Sequence, residues 1–296
     1  MILFNPQVKL VVYADSQSYE ITGLYMDFEI KASTDKEPNK AKISVYNLSE
    51  KTRNLFSDSH QAIEFYAGYG DNTVLIFSGE TSNALNEKSG TEWRTDIYAG
   101  AGLKSYETKY FSKTYAKGSD VKQIFKDMAS AYGMASYIEE PLFETKLLGS
   151  VTYAGRVKDV LTKACQNHGM SWSVQRGVLE IIEDGNFLIA QPTAIVLSPS
   201  SGMIGAPSIT NRSTKGGKNK KAVRIVSLLN PDITPGRLIQ IDSTQTIYSG
   251  GDLYKKPKNQ KRVVTNADGI YIAQRLRYYG NNYGGPFQVE IEADLK

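Results

Sequence analysis

The sequence is poor in the residues that make covalent staples and metal centres: one cysteine, Cys165, and two histidines, His60 and His168, among 296 residues. A single thiol excludes an internal disulfide and fits folding in a reducing compartment. Two histidines do not assemble a zinc site of the usual kind. No apolar run approaches the roughly 18–20 residues that span a bilayer, so no membrane anchor is expected. The stretch from Met1 to Pro6 has no basic segment and no small-residue cleavage site, which predicts synthesis and assembly in the cytoplasm. Neither sign of charge dominates. The formal charge is +4 and the pI about 8.8, mildly basic and not in itself a nucleic-acid signature.

What is present is apolar and aromatic. Hydrophobic residues make up 41% of the chain, enough for two or three cores, and 19 tyrosines and 10 phenylalanines against 2 tryptophans favour strands. Gln7–Tyr13 and Tyr19–Lys31 read as strands about a polar turn. In Ala41–Tyr46, Ala41, Ile43 and Val45 share one face, and Asn47-Leu48-Ser49 ends the strand before a short helical turn, Glu50–Phe56. Strands return at Ala62–Tyr69, Thr73–Glu80 and Thr91–Ala99, the pattern of a small barrel or sandwich.

The pattern changes near residue 118. Ser119 suits an N-cap, and Val121, Ile124, Phe125, Met128, Ala129 and Tyr132 recur at helical spacing before Gly133. Val157, Val160, Leu161, Ala164, Cys165 and His168 repeat that helix before Gly169, and each glycine leads into a short strand. From about residue 190 the β character returns. Prolines and glycines punctuate an irregular stretch, strands follow at Ala222–Leu228 and Arg237–Ser243, and Ile270–Tyr279 and Phe287–Ala293 close the chain. Ala41–Tyr46 parallels Ala222–Ser227 in both pattern and ending. The fold class expected is mainly β with an α+β insert: a β domain over 1–115, a helix–strand module over 116–190 and a second β domain over 191–296.

The chemistry of a catalyst is missing. His168 falls where the first helix copy has Tyr132, and Cys165 where it has Ala129, which makes both packing positions. Glu139-Glu140 and Glu183-Asp184 stand before Pro141 and Gly185 as solvated turns. Gly216-Gly217-Lys218 lacks the first glycine and the final hydroxyl residue of a phosphate loop, and Gly100-Ala101-Gly102 lacks a dinucleotide site's third glycine. No catalytic, cofactor or metal residue is assigned. Two basic clusters remain as candidate partner-docking loops: Lys215, Lys218, Lys220, Lys221 and Arg224, and Lys255, Lys256, Lys258, Lys261 and Arg262.

The order of these features resembles the baseplate hub (tail hub) proteins of long-tailed bacteriophages and contractile injection systems. The resemblance is carried by Phe28-Glu29-Ile30-Lys31 and the Tyr46-Asn47-Leu48-Ser49 ending. His168-Gly169-Met170-Ser171-Trp172, Val226–Pro231 and Tyr278–Phe287 add to it, although Asn281-Asn282 replaces the family's frequent Gly-Asp turn. It implies two tail-tube-like β-barrels per chain and a homotrimer in which six similar units meet a hexameric tail tube. It further implies the spike or tip protein, the tape-measure protein and baseplate wedge or fibre components as partners, nucleic acid only in transit through the lumen, location in the virion's tail, and no enzyme activity. The competing readings are a monomeric receptor- or carbohydrate-binding tail module and a cell-wall hydrolase.

Overall fold

The computed structural model describes residues 4–56, 60–139, 145–187, 192–213, 219–243, 247–248 and 267–296. The first section holds β1 (Pro6–Ala14), β2 (Gln17–Ile21), β3 (Met26–Ser33), β4 (Lys40–Tyr46), helix α1 (Glu50–Asn54), β5 (Ala62–Tyr69), β6 (Asn72–Ser89) and β7 (Glu92–Gly100). Tyr19–Lys31 is two strands because the chain turns at Gly23, whose φ of 70° suits glycine. The Asn47-Leu48-Ser49 ending is a structural joint. Asn47 sits at φ 58° and accepts the Trp93 N–H at 3.0 Å, Leu48 is buried, and the Ser49 hydroxyl caps α1 through the Thr52 N–H at 3.1 Å.

The middle section runs α2 (Leu103–Thr108), β8 (Tyr110–Tyr115), α3 (Val121–Tyr132), β9 (Ala135–Ile138), β10 (Val151–Arg156), α4 (Val157–Asn167), β11 (Met170–Gln175) and β12 (Val178–Glu183). The expected helix pair is present, and Gly133 and Gly169 follow α3 and α4 at φ 82° and 66°. The α3 cap is Asp120 and not Ser119: its carboxylate accepts the Lys122 N–H at 2.9 Å. Strands β9 and β11 flank β12, so the two helix–glycine–strand copies share one small sheet. Cys165 is buried as expected, and the His168 ring lies edge-on to Phe125 at 5.9 Å.

The last section holds β13 (Ile195–Leu197), β14 (Met203–Ser213), β15 (Asn219–Leu228), β16 (Leu238–Ile241), β17 (Ile247–Tyr248), β18 (Gly269–Asn281) and β19 (Phe287–Leu295). Among the described residues its strands do not close on themselves. Fourteen strands from both β sections form one sheet, ordered β17-β14-β15-β19-β18-β3-β4-β7-β6-β5-β1-β2, with β16 also on β18 and β13 on β16. The expected pair of closed barrels is therefore corrected to one continuous sheet among the described residues. The cause is β18, long enough for its first residues to pair with β16 and its last with β3.

Within that sheet the same unit occurs twice. β3-β4-β7-β6-β5 and β14-β15-β19-β18-β16 are both ordered first, second, fifth, fourth, third along the chain, and every neighbouring pair is antiparallel. The bulges coincide as well. Thr81 faces Ala99, Ser82 is the extra residue and Asn83 faces Tyr98; Ala273 faces Ala293, Gln274 is the extra residue and Arg275 faces Glu292. Since a bulge pins register and twist, a shared one is more specific than a shared strand count. The ladder also moves the sequence correspondence by one residue: Ala41 faces Ala99 as Val223, not Ala222, faces Ala293.

Candidate functional site at the seam of the two β units

The seam is the antiparallel ladder between β18 and β3, running from Arg275 opposite Ser33 to Asn281 opposite Asp27. On its inner face Phe28, Ile30, Leu276 and Tyr278 are buried. Phe287 of the second unit meets Phe28 at 5.7 Å and Tyr69 at 5.3 Å, both edge-on, and Phe28 meets Phe65 at 5.0 Å. Such aromatic contacts add about 0.5–1.5 kcal/mol each beyond the area they bury. Gly280 is required here: a Cβ would lie 2.2 Å from the Pro286 carbonyl oxygen.

The turn after β18 locks onto the first unit. The Asn282 side-chain oxygen accepts the Met26 N–H at 3.0 Å, its amide donates to the Leu24 carbonyl at 2.9 Å, and Tyr283 lies edge-on to Tyr25. Asn282 is thus the residue that satisfies the entry of β3.

The outer face carries alternating charge across four strands. Arg277 donates to Glu29 at 2.8 Å and approaches Glu290 at 3.7 Å; Arg224 pairs with Glu290, and Arg275 reaches Asp35 at 3.1 Å and Glu292 at 3.8 Å. Partial burial raises the Glu29 pKa, but the hydrogen bonds from Arg277 and Lys31 outweigh it and hold the carboxyl below its ordinary value. Ion pairs this exposed fix register more than they add stability.

The middle module wedges beside the seam through the β11–β12 turn. The buried Asn39 amide donates to the Val174 carbonyl at 2.9 Å and to the Gln175 side chain at 2.8 Å, and Gln175 donates to the Ser33 carbonyl at 2.7 Å. Arg176 donates to the Pro231 carbonyl in the second unit. One turn therefore touches both β units.

An open cleft of about 1610 Å³ lies between module and sheet, and its walls include Glu29, Arg275, Arg277, Glu290 and Glu292. Four of its carboxylates, Glu29, Asp35, Glu290 and Glu292, are paired with arginines. Glu139 is buried and accepts the Glu183 N–H at 2.8 Å, and burial raises Glu180 to about 7. Among the described residues no group of three or more His, Cys, Asp or Glu is placed to hold a metal, and no helix is long and apolar enough to cross a membrane.

Of the basic candidates, Lys220, Lys221 and Arg224 lie in β15 and not in a loop, because the strand begins at Asn219. Lys215, Lys218, Lys255, Lys256, Lys258, Lys261 and Arg262 lie outside the described residues. The sequence reading missed the seam, since the pairing of β18 with β3 joins residues some 240 positions apart.

No protein-family model matches the chain, and no curated protein matches its sequence. Solved structures do. A tail protein from Neisseria meningitidis aligns with TM-score 0.64 at 9% identity, covering 98% of this chain and 97% of its own. A 43 kDa tail protein of prophage MuSo2 from Shewanella oneidensis gives 0.63 at 8% identity, covering 98% of each chain. An Escherichia coli type VI secretion system component, described as structurally similar to the T4 bacteriophage tail proteins gp27 and gp5, gives 0.59 at 10% identity, covering 92% of this chain and 73% of its own. Over nearly its whole described length, therefore, the chain has the fold of phage tail proteins and of a related type VI secretion component.

Proposed function

We propose that the chain is a structural hub of a phage-type tail. Three copies form a ring in which six similar β units lie beneath a six-fold tube while the ring keeps three-fold symmetry toward a trimeric spike. The observation that carries this reading is the repeated unit: the same five-strand order, the same antiparallel pairs and the same bulge at Ser82 and Gln274. Two like surfaces on one chain are what a three-fold body needs to meet a six-fold one. The fold shared with tail proteins supports the same role.

In this reading the domains at 1–115 and 191–296 are tube-like, and the module at 116–190 braces them. The ring joins tube, tape-measure and spike or tip proteins, wedge or fibre components surround it, and nucleic acid only passes through. Lys220, Lys221 and Arg224, with the basic positions of 215–218 and 255–262, meet acidic neighbours. The chain carries out no turnover. Electron microscopy of the concentrated protein tests the proposal. Rings of three-fold symmetry with six similar lobes are expected, and single-chain particles at every concentration would contradict them.

A further inference from the structure

The three-stranded sheet of the middle module has two unlike faces. Trp172, Val174, Leu179 and Ile181 are buried on the helix side, where the Trp172 indole N–H donates to Thr162 of α4 at 3.1 Å. The alternate residues, Ser173, Gln175, Val178 and Glu180, turn the other way. Gln175 donates to the Ser33 carbonyl of the first β unit and to the Ser173 hydroxyl, so the face that carries Glu180 is the face that docks. Glu180 lies opposite the buried Ser173 and two residues before Ile182, which lines the cleft. It therefore sits between the docked end of this face and the end that opens on the cleft.

We infer that this docking contact is a latch worked by proton binding: the module holds the β units while the Glu180 carboxyl is neutral and lifts from them when it ionises. A carboxylate in such a contact loses hydration, and among the described residues no hydrogen bond to Glu180 offsets the loss. The contacts that oppose lifting are few and polar. They are the Asn39 amide on Val174 and Gln175, Gln175 on Ser33, and Arg176 on the Pro231 carbonyl. The inference does not depend on the ring reading.

The surrounding charges leave Glu180 the deciding group. In its own sheet Tyr137 of β9 stands beside it and Arg176 occupies the turn. The docked stretch from Ser33 to Lys40 brings Asp35, Lys36, Glu37 and Lys40. β6, whose Ser78 lies against Gly177, brings Glu80, and the Pro231 segment brings Asp232 and Arg237. Of these, Arg176 is the charge that acts on Glu180; it favours ionisation, but burial outweighs it and raises the carboxyl to about 7. Arg176 is held in place by the Pro231 carbonyl and the Tyr278 hydroxyl. With the latch open the carboxyl returns to its ordinary 4.5. Opening is thus favoured progressively as pH rises above 4.5, and the gain levels off above 7.

The test is a thiol on the docked face, Ser173→Cys in the full chain, labelled from pH 5.5 to 9 with each rate divided by that of a free model thiol at the same pH. Protection of the new thiol should fall at least about ten-fold across that range, and adding Glu180→Gln should abolish the fall. Native Cys165, buried in α4 within the module, is the internal control and should stay protected. No fall, an equal fall with Glu180→Gln, or Cys165 opening in step would each overturn the latch. The unaltered chain gives a second readout, because the Ser33 amide donates to the Asn39 side chain that the latch holds. Its hydrogen exchange, corrected for the intrinsic rate, should speed at least about ten-fold between pH 5.5 and 9, and a constant rate would also overturn the proposal.

Discussion

The outer halves of β18 and β6 occupy one position in a repeated unit and have opposite surroundings. Past the bulge, β18 carries Leu276, Tyr278 and Gly280, all buried beneath the joint with β3. At the same distances past its own bulge, β6 carries Ala84, Asn86 and Lys88, of which only Ala84 is even partly covered. The unit's backbone plan is kept while its side chains follow the neighbour each copy has. A permanent joint inside one chain takes large apolar side chains. An edge with no strand beside it among the described residues takes polar and charged ones, Glu87 and Lys88 among them.

The largest test of this contrast is Tyr278→Ala. The ring is fully buried and its hydroxyl donates to the Ile233 carbonyl, so a loss of about 3–5 kcal/mol is expected in chemical denaturation. Asn282→Ala leaves the Met26 N–H without its acceptor at the same joint, and a loss of about 1–3 kcal/mol is expected.

Glu180 sharpens the picture from the module's side. Its folded pKa is raised by burial to about 7, so its contribution is fully present below its unfolded value of 4.5 and is lost as pH rises through 7. Glu180→Gln should therefore stabilise the chain at pH 8 by about 1–3 kcal/mol and have little effect at pH 4, as thermal melts across that range will show. Glu29 behaves in the opposite sense. Its pKa is lowered, so its contribution is present above the unfolded carboxylate value and fades as pH falls through the folded one. Arg277→Gln should reduce that acid sensitivity, with an effect of about 0.2–1 kcal/mol at neutral pH.

A small effect is expected at the open counterpart of Tyr278. Asn86→Ala removes one hydrogen bond, from the buried Thr95 hydroxyl to an exposed side chain, and should cost the isolated chain about 1 kcal/mol. If Asn86→Ala and Tyr278→Ala cost the same in the monomer, the contrast between the two edges is broken.

Much of the fold was legible where local physics decides. Alternation marked β4, β15 and β19, and helical spacing with terminal glycines marked α3 and α4. The repeat was legible too, through Ala41–Tyr46 and Ala222–Ser227, although only the ladder supplied the one-residue correction. β14 was hidden because Gly205 and Pro207 interrupt it where its register shifts. The outer half of β6 was hidden because Ser82–Ser89 is mostly polar and shows no apolar alternation. The seam had no local signal at all: its partners come from opposite ends of the chain, and its clamp, Asn282, read only as a departure from a family turn.

The most direct test of the central claim is the mass of the purified chain by light scattering over a range of concentrations. Two like units on one chain, one edge joined and the other without a strand beside it among the described residues, predict a shift from 32.8 kDa to three times that value. A mass that stays at one chain throughout, at concentrations where the fold is intact, would contradict it.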